Sequence, residues 1–393
     1  MKVALIKGGG GDTYYELGLL SGLIAQGIFV DFIGSDHLKN TDILKNEYVK
    51  FYNLRGDQDP RAPLKKKIFR ILYYYLRLMK YAAKTDAKLF HIQWMEKFIY
   101  FDRTLLNIYY KILGKKLIFT AHNVNAGVRD GNDNIINRLT LRFMYKMVHH
   151  IIVHTDKMKN QLINDFNIKK EKVSVISYGI NNMVPISPLT KIEARKKLHL
   201  EDNEKVILFF GNITPYKGLA YLLLAGAKLI KKHASFKLII AGSINNKDAL
   251  IYWKLLEKII EENNLEEHII YEKKYIPNEE IEVYFKSADV LILPYTYIFQ
   301  SGVLFMSYAF GLPVIATEVG ALKDYIIEEK TGFLCKPADA VDLARKINYF
   351  FNSNLFNNLE ANRNKIIEYA NKEFSWEKIG EKTKNIYNSL LKN

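Results

Sequence analysis

Short apolar runs of strand length alternate with stretches of helical period along most of this chain. In the first half, runs at 3–6, 30–33, 89–94, 117–120, 144–149, 151–154 and 173–176 read as strands, and the first is followed by a helical stretch over about 14–26. The second half repeats the rhythm at 206–210, 237–241, 269–271, 290–293 and 314–316. Strands separated by helices imply parallel sheets built from βαβ units, with ligand sites at the carboxyl ends of the strands. Two such series predict an α/β chain of two Rossmann-like domains, at 1–182 and 183–372, followed by a C-terminal segment at 373–393 with a last helix over about 376–391. The seam falls where Asn181, Asn182, Pro185 and Pro188 interrupt the pattern before a short basic helix at 191–198.

One stretch, 290–317, carries no charged residue. Its Pro294, Gly302, Gly311 and Pro313 divide it into strand, loop, helix and strand. It therefore reads as buried α/β core, since parallel strands covered on both faces are continuously apolar.

Composition narrows the class. With 393 residues, 49% apolar and 25% charged, the chain has material for two full cores. A lone Cys335 offers neither an internal disulfide nor a zinc cluster, and the apolar run at the N-terminus is too short for a signal peptide. The expected location is cytoplasmic.

Charge adds a partner. Of the net +15, residues 1–182 hold 29 Lys+Arg against 16 Asp+Glu, while the remainder holds 28 against 26. A basic half beside a nearly neutral one suggests an anionic partner. Its focus is 65–84, with seven cations and no acid, where Ile68, Leu72, Tyr75, Met79 and Ala83 fall at helical spacing. A basic amphipathic helix of this kind suits an anionic membrane surface; equally, its apolar stripe packs on the N-terminal sheet. No nucleic-acid-binding module is recognisable, so nucleic acid is not an expected partner.

The sharpest chemistry lies in Gly211-Asn-Ile-Thr-Pro-Tyr-Lys-Gly218, between the strand at 206–210 and the helical pattern that starts at Leu219. A strand that breaks at a glycine, holds out a lysine and opens a helix is suited to a diphosphate. The glycines at 8–11 end the first strand in the same way, without the acidic residue a dinucleotide fingerprint needs. His122 ends the run at 117–120, where sites form in parallel sheets.

Taken in order, six segments resemble a GT-B glycosyltransferase, similar to the large family 4 of retaining enzymes. They are the glycines at 8–11; Phe119-Thr-Ala-His-Asn-Val124; Ser177-Tyr-Gly-Ile-Asn181; Gly211 to Gly218; Ala288-Asp-Val-Leu-Ile-Leu-Pro294; and Gln300-Ser-Gly-Val303, which leads to Gly311-Leu-Pro-Val-Ile-Ala-Thr317. The resemblance implies two Rossmann-like domains facing across a cleft, with the last helix packing back on the N-terminal domain. It implies catalytic roles for His122 and Lys217. Donor contacts would come from Gly211, Asn212, Thr214, Lys217, Gln300, Ser301, Gly302, Val303 and Glu318, with Ile276 in the turn that reads the base. Acceptor contacts would come from Gly9, Gly10, Gly11 and Arg129.

A UDP- or GDP-linked sugar would be a substrate, with no cofactor and no metal. The acceptor would be a glycan or a lipid-linked molecule of the cell envelope, met at the inner face of the cytoplasmic membrane. Two departures stand out. Asn212 and Thr214 occupy positions where relatives carry an arginine, and Ile298 and Met306 occupy those of two glutamates. The alternative is a degenerate donor site kept by a binding or partner subunit.

Overall fold

A computed structural model describes residues 1–9, 13–59, 61–131, 133–180, 182–230, 236–244 and 247–392. They form two compact units, one of Met1–Gly179 with Phe374–Asn393 and one of Ile180–Glu373.

The first unit is a seven-stranded parallel sheet. Its strands are β1 (Lys2–Ile6), β2 (Phe29–Gly34), β3 (Val49–Asn53), β4 (Leu89–Ile92), β5 (Lys116–Thr120), β6 (His150–Val153) and β7 (Val173–Val175), in the order β3-β2-β1-β4-β5-β6-β7. The order reverses between β1 and β4, which opens a crevice at the carboxyl ends of these strands. Val3, Leu5, Leu89, Ile118 and Ile151 are fully buried because helices cover both faces.

The helix Thr13–Ala25 is apolar nearly all round, with Leu17, Leu19, Leu20 and Leu23 buried. The reason is its second partner, the C-terminal helix Trp376–Lys392, which belongs to this unit. The two backbones meet at glycines: a Cβ on Gly22 would stand 2.1 Å from the Trp376 carbonyl oxygen, and one on Gly380 would stand 2.1 Å from that of Gly22.

Two expectations need correction, and one strand was missed. Residues 144–149 are no strand; they close the helix Ile135–Met147, whose N-cap Asn134 accepts from the Asn137 amide. Met144, Tyr145 and Val148 are the buried face of that helical end, and a three-residue apolar cluster looks alike in either structure. The strand β3 escaped notice because Val49-Lys-Phe-Tyr-Asn is a half-exposed edge without a clean apolar run. The helix Leu64–Lys84 buries Tyr74, Tyr75, Leu78, Tyr81 and Ala82, so its inward face is rotated from the expected stripe and leaves Ile68, Leu72 and Ala83 exposed.

The second unit is a six-stranded parallel sheet of β8 (Lys205–Phe210), β9 (Phe236–Ala241), β10 (Ile269–Glu272), β11 (Val290–Leu293), β12 (Val314–Thr317) and β13 (Gly332–Cys335), in the order β10-β9-β8-β11-β12-β13. Here the switch lies between β8 and β11. The uncharged stretch resolves into β11, a loop, the helix Gly302–Ala309 and β12. Among the described residues no helix is long and apolar enough to cross a membrane. The entry helix Lys191–Lys197 starts with a Thr190–Glu193 capping box and is pinned by buried Arg195, whose guanidinium bonds both Asp289 carboxylate oxygens at 3.1 and 3.0 Å.

Candidate active site

In the second unit, the loop after β8 is shaped by two glycines that no other residue can replace. Gly211 has φ +107° and Gly218 has φ +70°, and a Cβ on Gly218 would lie 1.9 Å from the Pro294 carbonyl oxygen. The loop is therefore pressed against the turn after β11, where the Thr296 amide donates to the Tyr216 carbonyl at 2.8 Å. Lys217 closes a single 3-10 turn, Pro215–Lys217, and folds back over the bare backbone of Gly211. A Cβ on Gly211 would stand 2.6 Å from its Nζ and 3.8 Å from a Val303 methyl, so Gly211, Lys217 and Val303 converge.

Lys217 has no carboxylate within ion-pair distance among the described residues; the face of Tyr295 lies 5.8 Å from its ammonium. Burial alone pulls its pKa down to about 8. Part of the side chain is exposed, but the amine itself is drawn out of water. A cation desolvated without a counter-ion is a site held ready for an anion.

Further polar groups around the same strand ends are also unspent. Both amide atoms of Gln300 and the hydroxyl of Thr214 are buried without a hydrogen-bond partner among the described residues. Ser301 precedes the helix Gly302–Ala309 but does not cap it; its hydroxyl is engaged with the hydroxyl of Tyr295 instead. The remaining expected donor residues are placed differently. Asn212 Oδ1 accepts from the Ser243 hydroxyl at 2.8 Å and is turned toward the loop after β9. The Ile276 side chain is buried. Glu318 is exposed just past β12 and donates its backbone amide to the Cys335 carbonyl at 3.0 Å.

In the first unit, His122 lies just past β5 at the carboxyl edge of the sheet. Its ring is stacked on Trp94 with centroids 4.2 Å apart and planes within 2°, and Tyr15 meets it edge-on at 4.6 Å. Its Nδ1 is 3.0 Å from Nε2 of His154, which stands at the same position past β6. Burial, then the neighbouring His154 and His91, hold His122 well below the ordinary histidine pKa. Its Nε2 is buried and meets no partner among the described residues.

Gly9 packs against the Arg55–Glu96 pair, where a Cβ would lie 2.4 Å from Glu96 Oε1. Gly10 and Gly11 lie outside the described residues, as does the Arg129 side chain. Among the described residues, no three His, Cys, Asp or Glu side chains gather in a way that would hold a metal ion.

Sequence reasoning missed Trp94, Tyr15 and His154. The last carried a usable signal, because it ends its strand just as His122 does. It also missed two buried ion pairs beside the crevice, Lys7–Glu16 and Arg55–Glu96, the latter at 2.7 Å. Lys7 adjoins the glycines at 8–11, but neither pairing is fixed by a local pattern.

Comparison with known proteins agrees with this architecture. Residues 9–182 match the model of Glycosyltransferase Family 4, and residues 190–373 match that of Glycosyl transferases group 1. An uncharacterized glycosyltransferase of Methanocaldococcus jannaschii is 29% identical over 240 residues, which is 60% of this chain and 59% of that protein. The chain spans less than two thirds of the length of the curated relatives it matches. Among solved structures, sucrose-phosphate synthase from Thermosynechococcus elongatus superposes with a TM-score of 0.77 at 21% identity, covering 100% of this chain and 99% of the other. HepE from Anabaena, solved with UDP-glucose, gives 0.74 at 17% identity, covering 99% and 100%. Two family matches in tandem, on two parallel-sheet units with their switch-point crevices, identify the chain as a member of the GT-B glycosyltransferases that resemble family 4.

Proposed function

We propose that the protein moves a hexosyl group, with retention of configuration, from a UDP- or GDP-linked sugar to a glycan or lipid-linked acceptor of the cell envelope. The observation that carries this reading is Lys217, an ammonium removed from water, with no counter-ion among the described residues, over the backbone of Gly211. A leaving diphosphate needs that charge, and stabilisation of developing negative charge is usually the largest catalytic contribution in such reactions. The unspent groups of Thr214 and Gln300 supply further donors for a nucleotide, and HepE, with the same fold, is known bound to UDP-glucose. The nucleotide sugar is substrate; no cofactor and no metal is invoked.

In this reaction the acceptor hydroxyl oxygen bonds to the anomeric carbon on the face the diphosphate leaves. The carbon–oxygen bond to the diphosphate breaks, and the acceptor proton passes to the departing phosphate oxygen. No carboxylate pair of the glycosidase kind is required. His122 offers the sugar a fixed hydrogen-bond acceptor.

The outer face of the helix Leu64–Lys84 favours an acceptor at a membrane. Leu64, Phe69, Leu72 and Leu76 are exposed beside Lys65, Lys66, Lys80 and Lys84, the arrangement of a helix that lies in an anionic interface. We place the protein in the cytoplasm, peripheral at the inner membrane face.

The test is calorimetry and thermal shift with UDP, GDP, ADP and dTDP and their sugar conjugates. Selective binding of one nucleotide, lost in Lys217→Ala, supports the reading. No binding of any nucleotide by a folded chain would transfer the weight to a partner subunit with a degenerate site.

A further inference from the structure

A second polar cavity, separate from the His122 cluster, lies wholly in the first unit. It has a volume of about 440 Å³ and is bounded by the residues that follow β1, β2, β3 and β4 and by the first turns of the helix Leu64–Lys84. Among the described residues, five cations line it, Lys7, Arg55, Lys67, Arg70 and Lys97, against two carboxylates, Asp59 and Glu96.

The two buried cations are fixed in place. Lys7 pairs with buried Glu16 and is also 3.2 Å from the Thr13 hydroxyl; Arg55 holds Glu96 through Nε. These pairs consume their own charge and leave rigid walls. Arg70 is tied to Asp57 at 3.1 Å and to the Asp59 carbonyl at 3.2 Å, so its guanidinium is already oriented. Lys67 and Lys97 make no ion pair among the described residues. The surplus at the rim is positive. His37 feels it: burial, then the charges of Lys7 and Arg55, hold its imidazole below the ordinary pKa.

The sequence breaks a local rule at the same place. The first turn of the helix Leu64–Lys84 carries Lys65, Lys66 and Lys67 and no acid. Cations there oppose the helix dipole, which favours negative charge at an N-terminus. Such a conflict between local preference and structure is what functional sites show. Of the three, Lys67 lines the cavity while Lys66 lies 3.8 Å from Asp57, and an anion in the cavity would offset the charge of Lys67.

We propose that this cavity binds a phosphate group carried by the acceptor. The proposal rests on the transferase reading above and adds the acceptor's chemistry: a hydroxyl-bearing molecule with a phosphate ester, held by Arg70, Lys67 and Lys97 against the fixed Lys7 and Arg55 pairs. The phosphate belongs either to a small soluble polyol or to a lipid headgroup.

The test is a titration of the full chain followed by the NMR signal of His37 and by calorimetry. The probes are inorganic phosphate, glycerol 3-phosphate and dihexanoyl phosphatidylglycerol at concentrations where it is monomeric. Binding should raise the His37 pKa, and Arg70→Gln with Lys97→Gln should weaken it at least tenfold, while Lys258→Gln, on the exposed face of a helix in the second unit, leaves it unchanged. A response to glycerol 3-phosphate but not to the lipid identifies a soluble acceptor, and the converse identifies a headgroup. If a folded chain binds none of the three at tens of millimolar, or binds them equally well in the double variant, the proposal is wrong. UDP affinity, measured on the same samples, separates the two readings. Nucleotide binding without phosphate binding removes only this site, and phosphate binding without any nucleotide binding removes the transferase.

Discussion

His154 sets the tautomer of His122. His154 Nδ1 lies 2.9 Å from the Ile176 carbonyl oxygen, which only accepts, so the proton is on Nδ1. Burial pulls this imidazole down to about pKa 4, so it is neutral and its Nε2 is an acceptor. His122 Nδ1, 3.0 Å away, must then donate, and the lone pair of His122 is left on the unpartnered Nε2. Nitrogen-15 NMR should find both rings in the Nδ1–H form. His154→Leu should strand a buried donor or flip the tautomer, lowering kcat/KM by ten- to a hundredfold, or about 1.4–2.7 kcal/mol. His154→Gln, whose carbonyl can accept, should recover part of the loss. An Nε2–H form of His122 in the unmodified protein would refute the relay.

The same burial makes the first unit sensitive to acid. The pKa of His91 falls to about 3 and that of His154 to about 4, and His122 is also lowered well, in each case chiefly because burial disfavours the charged ring. The unfolded chain takes up these protons near the ordinary pKa, before the folded chain does. Stability is therefore complete above about pH 6.5 and falls below it. Each ring contributes up to about 1.4 kcal/mol per pH unit between its two pKa values. Urea unfolding at pH 7, 6 and 5 measures the slope, and a flat profile would mean the three rings are hydrated.

For Lys217 the sign differs between stability and binding. Its pKa of about 8 lies below the ordinary lysine value, so the folded chain releases this proton first and stability rises with pH between about 8 and 10.4. Binding of a diphosphate needs the proton and should weaken as pH rises through 8. Lys217→Ala should lose that inflection and at least tenfold in turnover, about 1.4 kcal/mol or more in the barrier, with the fold unchanged. Turnover at the original rate would remove Lys217 from the mechanism.

Much of this was legible in the sequence, for identifiable reasons. Buried parallel strands such as β8 and β11 are unbroken apolar runs, and the loop at 211–218 announces itself because both its glycines have positive φ. The rest depends on contacts that no local pattern records. β3 is a half-exposed edge, and 144–149 shares its apolar cluster with any strand. Arg55 and Glu96 lie 41 residues apart, so their pair cannot be read from spacing. The inward face of the helix Leu64–Lys84 is set by which tyrosines reach the sheet, a choice its many apolar residues leave open.

Trp376 offers the last prediction, on how the chain end stabilises the first unit. Its indole occupies a slot made by two glycines: a Cβ on Gly18 would stand 1.9 Å from the ring, and one on Gly179 would stand 2.5 Å away. Tyr15 packs edge-on at 5.2 Å, so the same indole also steadies a residue that touches His122. Trp376→Ala should cost the first unit about 3–5 kcal/mol, as removal of a large buried side chain does. Hydrogen exchange should then show lost protection in β1 and the helix Thr13–Ala25, with β8 and β9 unaffected. Gly18→Ala should act in the same direction by overpacking the slot, typically by about 1–3 kcal/mol. Unchanged protection of β1 in Trp376→Ala would mean that the C-terminal helix is a passenger on this unit and not part of its core.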